Sequence, residues 1–359
     1  CSGNLPLADA INPAETDDDY PQKLFSATIW TGNGSARTIS SGSKSDAVWI
    51  KRRSGAAAWA VQDSTRGTSA ALEFNTNAQE DTSFTQGVTA FGSSSFNIGT
   101  HSQVNTSSET YVGYAIAANG GTTSTNSTGS VNVTQQVDPS GHFSISTYSG
   151  AGGTGTIGHG LSSAPTFVVI KQRNASNSWT VFAKGAQSSG ADFAYLEGTG
   201  AWQDGSSSPM WQNTQPSNTL VYLGDNSEVN HSGRTYVAYC WADCEGYIKS
   251  GGYVGNGNSG SDTSPFVYTG FRPSFVMNRR TDGSGSWLVH DDARNTYNPT
   301  DKILIANGND GEFSGANDKI DMLANGFKLR SSNAGINGSG SDYIYLAFAH
   351  NPFKYATAR

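Results

Sequence analysis

The chain has 359 residues and a formal net charge of −7, with only 14% of positions charged and no long apolar run. A nucleic-acid binder needs a basic footprint, and a membrane-crossing helix needs about 18 consecutive apolar residues, so neither a nucleic-acid partner nor a membrane span is expected. Glycine occupies 43 positions, about twice ordinary usage, yet 11% aromatic content excludes a disordered low-complexity chain, which leaves short strands joined by Gly/Ser/Asn turns.

In chain order, residues 1–24 carry Pro6, Pro13, Pro21 and the acidic group Glu15, Asp17, Asp18 and Asp19. They read as an extended arm, with a calcium-binding cluster as the weaker reading. Cys1, the first residue of the sequence, is compatible with a processed, lipidated or truncated start. The first clear strand is Ala47-Val48-Trp49-Ile50-Lys51, and it recurs as Phe167-Val168-Val169-Ile170-Lys171 and Phe275-Val276-Met277-Asn278-Arg279. The basic residue closing each copy suits an exposed strand end. A turn and a second strand follow, Trp59-Ala60-Val61, Trp179-Thr180-Val181 and Trp287-Leu288-Val289. In these, Trp and Val two residues apart share a face and can pack inward.

A third landmark closes each copy. Val104-Asn105 precedes Tyr111, Val229-Asn230 precedes Tyr236, and Ile336-Asn337 precedes Tyr343. The openings Trp30-Thr31-Gly32, Tyr148-Ser149-Gly150 and Tyr253-Val254-Gly255 repeat as well. Landmarks in one order at intervals of a little over a hundred residues mean three copies of one unit. The expectation is an all-β chain of three tandem antiparallel β-sandwich, jelly-roll-like modules with very little helix. They span residues 25–120, 131–246 and 247–359, with 121–130 as a Gly/Ser/Thr linker, and stand side by side in an elongated molecule. Trp59, Trp179, Trp287, Tyr111, Tyr236 and Tyr343 are the structural landmarks.

Few residues suggest chemistry. His290-Asp291-Asp292-Ala293-Arg294 offers acid, base and cation together, and Asp63 with Arg66 is a thinner copy, whereas the second module has Ala183 at that place. An Asp followed three residues later by Arg in two copies reads more simply as a turn tied by an ion pair than as a catalytic pair. Asp291, Asp301 and Glu312 show no spacing that selects two carboxylates for glycoside hydrolysis. The Gly/Ser strings at 257–261 and 338–341 lack the helix of a nucleophile elbow and read as turns, as does His159. Cys240 and Cys244 lack the further ligands of a zinc site and read as packed thiols. Asn307 to Glu312 has a calcium-loop composition without its ligand spacing. No catalytic residue, metal or cofactor is expected. The better binding candidates are Trp202, Gln203, Trp211 and Asn213, since an exposed indole can stack on a sugar while amides bond its hydroxyls. The competing reading makes these rings the rim of the second core.

The segments Tyr268-Thr269-Gly270-Phe271-Arg272-Pro273, Asn295 to Lys302 and Asn325-Gly326-Phe327-Lys328-Leu329-Arg330, with the ending Ala347-Phe348-Ala349-His350-Asn351-Pro352-Phe353, resemble a family of tandem-repeat, tail-fibre-like virion proteins. These are encoded by tailed phages of marine bacteria and cyanobacteria, of cyanophage or pelagiphage type. The likeness covers about residues 23–359, and Cys1 and most of the acidic arm fall outside it. It implies a tail fibre, tail appendage or capsid decoration on the surface of the extracellular particle. Other virion proteins would be its partners; a homotrimer would follow by analogy with other fibres, and the loop aromatics point to a host-surface polysaccharide as ligand. It carries over no catalytic residues. A purely structural protein bridging capsid or tail subunits, a bacterial surface lipoprotein or adhesin, and a depolymerase are the rival readings.

Overall fold

The computed structural model describes residues 24–186, 192–206, 210–260, 263–315 and 317–349. The arm up to residue 23, with Cys1 and its acidic cluster, lies outside them. The chain is all-β, and among the described residues helix is limited to short turns such as Ser102–Asn105 and Lys184–Ala186.

Each module is built on one antiparallel sheet. In the first module the strand order is Phe25–Thr31, Thr110–Ile116, Ala47–Arg52, Ala60–Asp63. The second repeats it as Phe143–Ser149, Thr235–Trp241, Phe167–Gln172, Trp179–Ala183, and the third as Ile248–Val254, Asp342–Ala349, Pro273–Arg280, Leu288–Asp291. A smaller sheet packs on one face of each, made of Arg37–Ser40, Ser95–Ile98 and Val88–Phe91 in the first module. The equivalents are Gly155–Gly158 with Leu220–Leu223, and Phe266–Tyr268, Gly326–Leu329 and Ile320–Leu323. The stretch expected as a flexible linker contributes a strand, Ser124–Asn126, which pairs with Val133–Val137 at the edge of the second module's sheet. Its Ser and Thr side chains suit an exposed edge strand as well as they suit a linker.

The main sheets are buried on both faces, so their strands are apolar almost without interruption. Val48 and Ile50 face the first module's own core, whereas Ala47 and Trp49 face a core common to all three modules. That shared core holds Trp59, Trp179 and Trp287, with Val61, Val181 and Val289 beside them, as the spacing predicts. Phe25, Tyr114, Phe275 and Phe348 stack or meet edge to edge within it. The modules are therefore not strung out. They close into a ring around a central aromatic core, because one face of every main sheet would otherwise be left in water.

Closure repeats the same contacts three times. Trp59 Nε1 donates to Ile305 O of the third module, Trp179 Nε1 to Glu73 O of the first, and Trp287 Nε1 to Tyr195 O of the second. The basic residue ending each repeated strand is buried here rather than exposed. Lys51 donates to Asn309 O, Lys171 to Asn77 O, and Arg279 to Tyr195 O and Gly200 O. Each extends from one module to carbonyls of its neighbour, where Asn309 O, Asn77 O and Tyr195 O also accept from Ala57 N, Asn177 N and Trp287 Nε1.

The repeated Asn and Tyr lock a turn within each module. Asn105, Asn230 and Asn337 accept from the backbone N–H of Asn33, Ala151 and Asn256. The Tyr111, Tyr236 and Tyr343 hydroxyls accept from Thr106, His231 and Gly338 N–H, and donate to Ser102, Ser227 and Ala334 carbonyls. Each tyrosine ring stacks on the aromatic residue of the opening strand, Trp30, Tyr148 or Tyr253, with interplanar angles of 15°, 17° and 7°. The glycine of each opening cannot carry a side chain. A Cβ on Gly32, Gly150 or Gly255 would lie 2.1, 2.3 or 2.3 Å from a carbonyl oxygen of that turn.

Candidate functional site

The Asp–Arg pairs sit where two modules meet. After the strand Ala60–Asp63 the chain turns back, and Asp63 Oδ1 accepts from Arg66 N while Oδ2 accepts from Arg66 Nε at 2.6 Å. Arg66 also donates to Val61 O, to Tyr239 of the second module and to Glu80. Tyr239 donates to Asp63, and Arg173 of the second module clamps Glu80 through two nitrogens. The same arrangement recurs where the third module meets the first. Asp291 takes the Arg294 backbone N–H and Nε, Tyr114 donates to Asp291 at 2.6 Å, and Arg53 clamps Glu312.

Both Arg–Asp pairs have side chains at 0% exposure. Burial works against the Arg66 charge, but Asp63, Tyr239 and Glu80 outweigh it and hold the guanidinium above its ordinary value. Tyr114 and Tyr239 are pushed well above the usual phenol range, chiefly by burial. A proton cannot readily leave such groups, and substrate cannot reach them. The Asp-then-Arg spacing thus marks turns tied by ion pairs, as the sequence suggests. The partners Glu80, Arg173, Tyr239, Arg53, Glu312 and Tyr114 escape sequence reading because they come from loops and from strands of the neighbouring module.

At the joint between the second and third modules the whole set is replaced. Ala183 and Ala186 stand for Asp and Arg, and Leu346 stands for Tyr. The backbone bond that Glu80 and Glu312 make to Arg173 and Arg53 is made by Trp202 to Thr281. Trp202 therefore lies on the joint, half-buried against the shared core and 6.3 Å from Trp287 between ring centres.

The other sequence candidates lie as follows. Trp211 is 1% exposed inside the second module's own core, edge-on to Phe182, so its ring offers no face to a sugar. Trp202 and Trp211 belong to different cores: Trp202 packs against the shared one and Trp211 lies within that of the second module, so they do not form a common rim. Gln203 is exposed and pairs its backbone with Phe193, and Asn213 is exposed in a turn at φ 52°. The His159 ring contacts Ser217 O and accepts from Leu161 N. Cys240 is buried in the second module's core and Cys244 packs half-buried against the shared one. Asn307 to Glu312 forms the joint to the first module, where Asn309 O receives Lys51 and Glu312 meets Arg53. No group of three potential metal ligands occurs among the described residues.

The shared core encloses an apolar cavity of about 20 Å³ bordered by Trp49, Trp59, Trp241 and Met277 among others, which would stay dry for want of polar partners. Open grooves also lie at the surface, one of them mostly polar and another mostly apolar. The first runs past Asn132, Thr134, Thr147 and Arg173, the second past Lys44, Asp46, Ser93 and Gly121.

Fold and joints together define an all-β protein of three sandwich repeats closed on one core, whose clustered acids and bases tie the repeats to one another. The chain belongs to the family described as a domain of unknown function (DUF7483), which matches residues 20–352. No curated protein and no solved structure matches it.

Proposed function

We propose that the protein is a structural component of a phage virion, a tail appendage or capsid decoration that works by binding rather than by catalysis. The observation that carries this reading is the use of the acid–base clusters. Asp63, Arg66, Asp291 and Arg294 are consumed in ring closure, which in a chain with 14% charged residues leaves a weakly charged outer surface. Such a surface, rich in short polar side chains, tolerates high salt, where ion pairs between exposed groups are screened. A closed ring of three repeats also supplies within one chain the threefold arrangement that a fibre assembles from three.

The test is to purify particles of the phage that encodes the chain, identify their proteins by mass spectrometry and label them with an antibody to the purified chain. The reading expects the chain in washed particles and the label on their outside. A chain found in infected cells but absent from particles overturns it.

A further inference from the structure

The outer face of the small sheet in the third module differs from its two counterparts. In the first module the outward residues of the paired strands are Thr38 and Ser40 opposite Asn97 and Ser95, with Thr38 hydrogen-bonded to Asn97. In the second they are Thr156 and Gly158 opposite Tyr222 and Leu220. In the third they are Phe266 and Tyr268, 42% and 65% exposed, opposite Lys328 and Gly326. Lys328 lies opposite Asp321 on the next strand, and Gly326 opposite Leu323.

The ladder continues past that strand. Thr300 bridges Ile320, and the Asn298 side chain bonds both the N–H and the carbonyl of Met322. This brings Tyr297, 85% exposed, to the edge beside Leu323. Directly opposed residues share a face, so Phe266 and Tyr268 stand on the face of Lys328 and Asp321. The exposed Tyr297 lies in the segment along the far edge, about 14 Å away at ordinary strand spacing. Lys319 and Arg330 extend the same face, joined by a backbone bond, and Arg330 also reaches Asp321. Three cations thus stand against one carboxylate in a chain of net charge −7, and Lys328 has no ion-pair partner among the described residues.

We infer that this face is a binding site for an acidic glycan, a uronate- or sulfate-bearing polysaccharide. The inference rests on the binding role proposed above and moves the contacts away from Trp202 and Trp211. Rings separated by charged side chains suit the alternating C–H faces and polar groups of a sugar chain. A protein interface would call for a more continuous apolar centre. Phe266, Tyr268 and Tyr297 take the sugar faces, while Lys328 and Lys319 meet the anionic groups.

The experiment measures binding of the purified full chain to polygalacturonate, dextran sulfate and uncharged dextran at low and high salt. Wild type is expected to bind at least one acidic polymer, more weakly as salt rises, and to leave dextran unbound. Tyr268→Thr and Lys328→Gln are each expected to weaken binding about tenfold, and Tyr297→Ala several-fold, with unchanged melting temperature because all three side chains face water. Failure to bind either acidic polymer, equal binding to dextran, or full binding by the variants overturns the inference. Concentration-dependent self-association abolished by Tyr268→Thr also overturns it, giving the face to a second copy. The assay contains no particle, so its failure leaves the virion assignment standing, and absence from particles leaves the glycan face standing.

Discussion

Two joints of the ring are ionic and one is apolar, although all three share one backbone geometry. At the first and third modules' joints, Asp, Arg, Tyr and a clamped Glu fill the space; at the remaining joint Ala183, Ala186, Leu346 and Trp202 fill it. The same seam can evidently be closed by either chemistry. The elements change together because a buried guanidinium without its carboxylate costs far more than either complete set. Replacing only the Asp would strand an Arg, and replacing only the Arg would strand an Asp. The complete Ala/Leu/Trp set avoids both penalties with packing alone.

The largest expected effect comes from breaking one partner of an ionic joint. Arg66→Leu, or Arg294→Leu, leaves a buried carboxylate and a tyrosine without their cation, and should cost about 3–5 kcal/mol, read as a large drop in the denaturant midpoint. At the apolar joint Trp202→Ala should cost less, about 2 kcal/mol, since the ring is only partly buried and leaves a gap beside Trp287. A drop as large as that for Arg66→Leu would show that this joint depends on one residue more than packing alone implies.

A third comparison uses the buried cations common to the seams. Burial lowers Lys51 and Lys171 from an ordinary 10.5 to about 8. At these two residues the unfolded chain binds more protons than the folded one between about pH 8 and 10.5, so their own contribution to stability rises with pH across that window. It runs against the opposite contribution of Cys240 and the buried tyrosines, whose protons are held more tightly in the fold. Lys51→Met with Lys171→Met should remove the lysines' rise and so lower the slope of melting temperature against pH, measured from pH 7.5 to 10. A slope unchanged in the double variant would contradict that contribution. The smallest effect is expected from transplanting the apolar joint whole. Asp63→Ala, Arg66→Ala, Glu80→Trp, Arg173→Thr and Tyr239→Leu made together should shift stability by no more than about 2 kcal/mol, well under the cost of Arg66→Leu alone.

Much of this architecture is legible in the sequence, and the reasons are local. The Asn and Tyr of the closing landmark and the glycine of the opening recur because one turn demands them. Trp59 and Val61 share a face because strand side chains alternate. Ring closure is not legible, because a strand apolar on both faces looks alike whether its second face meets a module-sized core or a common one. Lys51, Lys171 and Arg279 mislead for the same reason: a charged residue at a strand end normally marks solvent, and only the neighbouring module reveals the carbonyls they cap. Trp202 and Trp211 stand in loops, and loop position does not predict exposure when the loop closes a seam, as at Trp202, or folds into its own module's core, as at Trp211. Phe266 and Tyr268 become visible once their positions are matched with Thr38 and Ser40, which requires the strand register.

Calorimetric unfolding of the whole chain tests most directly whether the repeats form one body. A shared aromatic core predicts a single transition with equal calorimetric and van't Hoff enthalpies. Two or three resolved transitions, each with the enthalpy of a lone module, would contradict it.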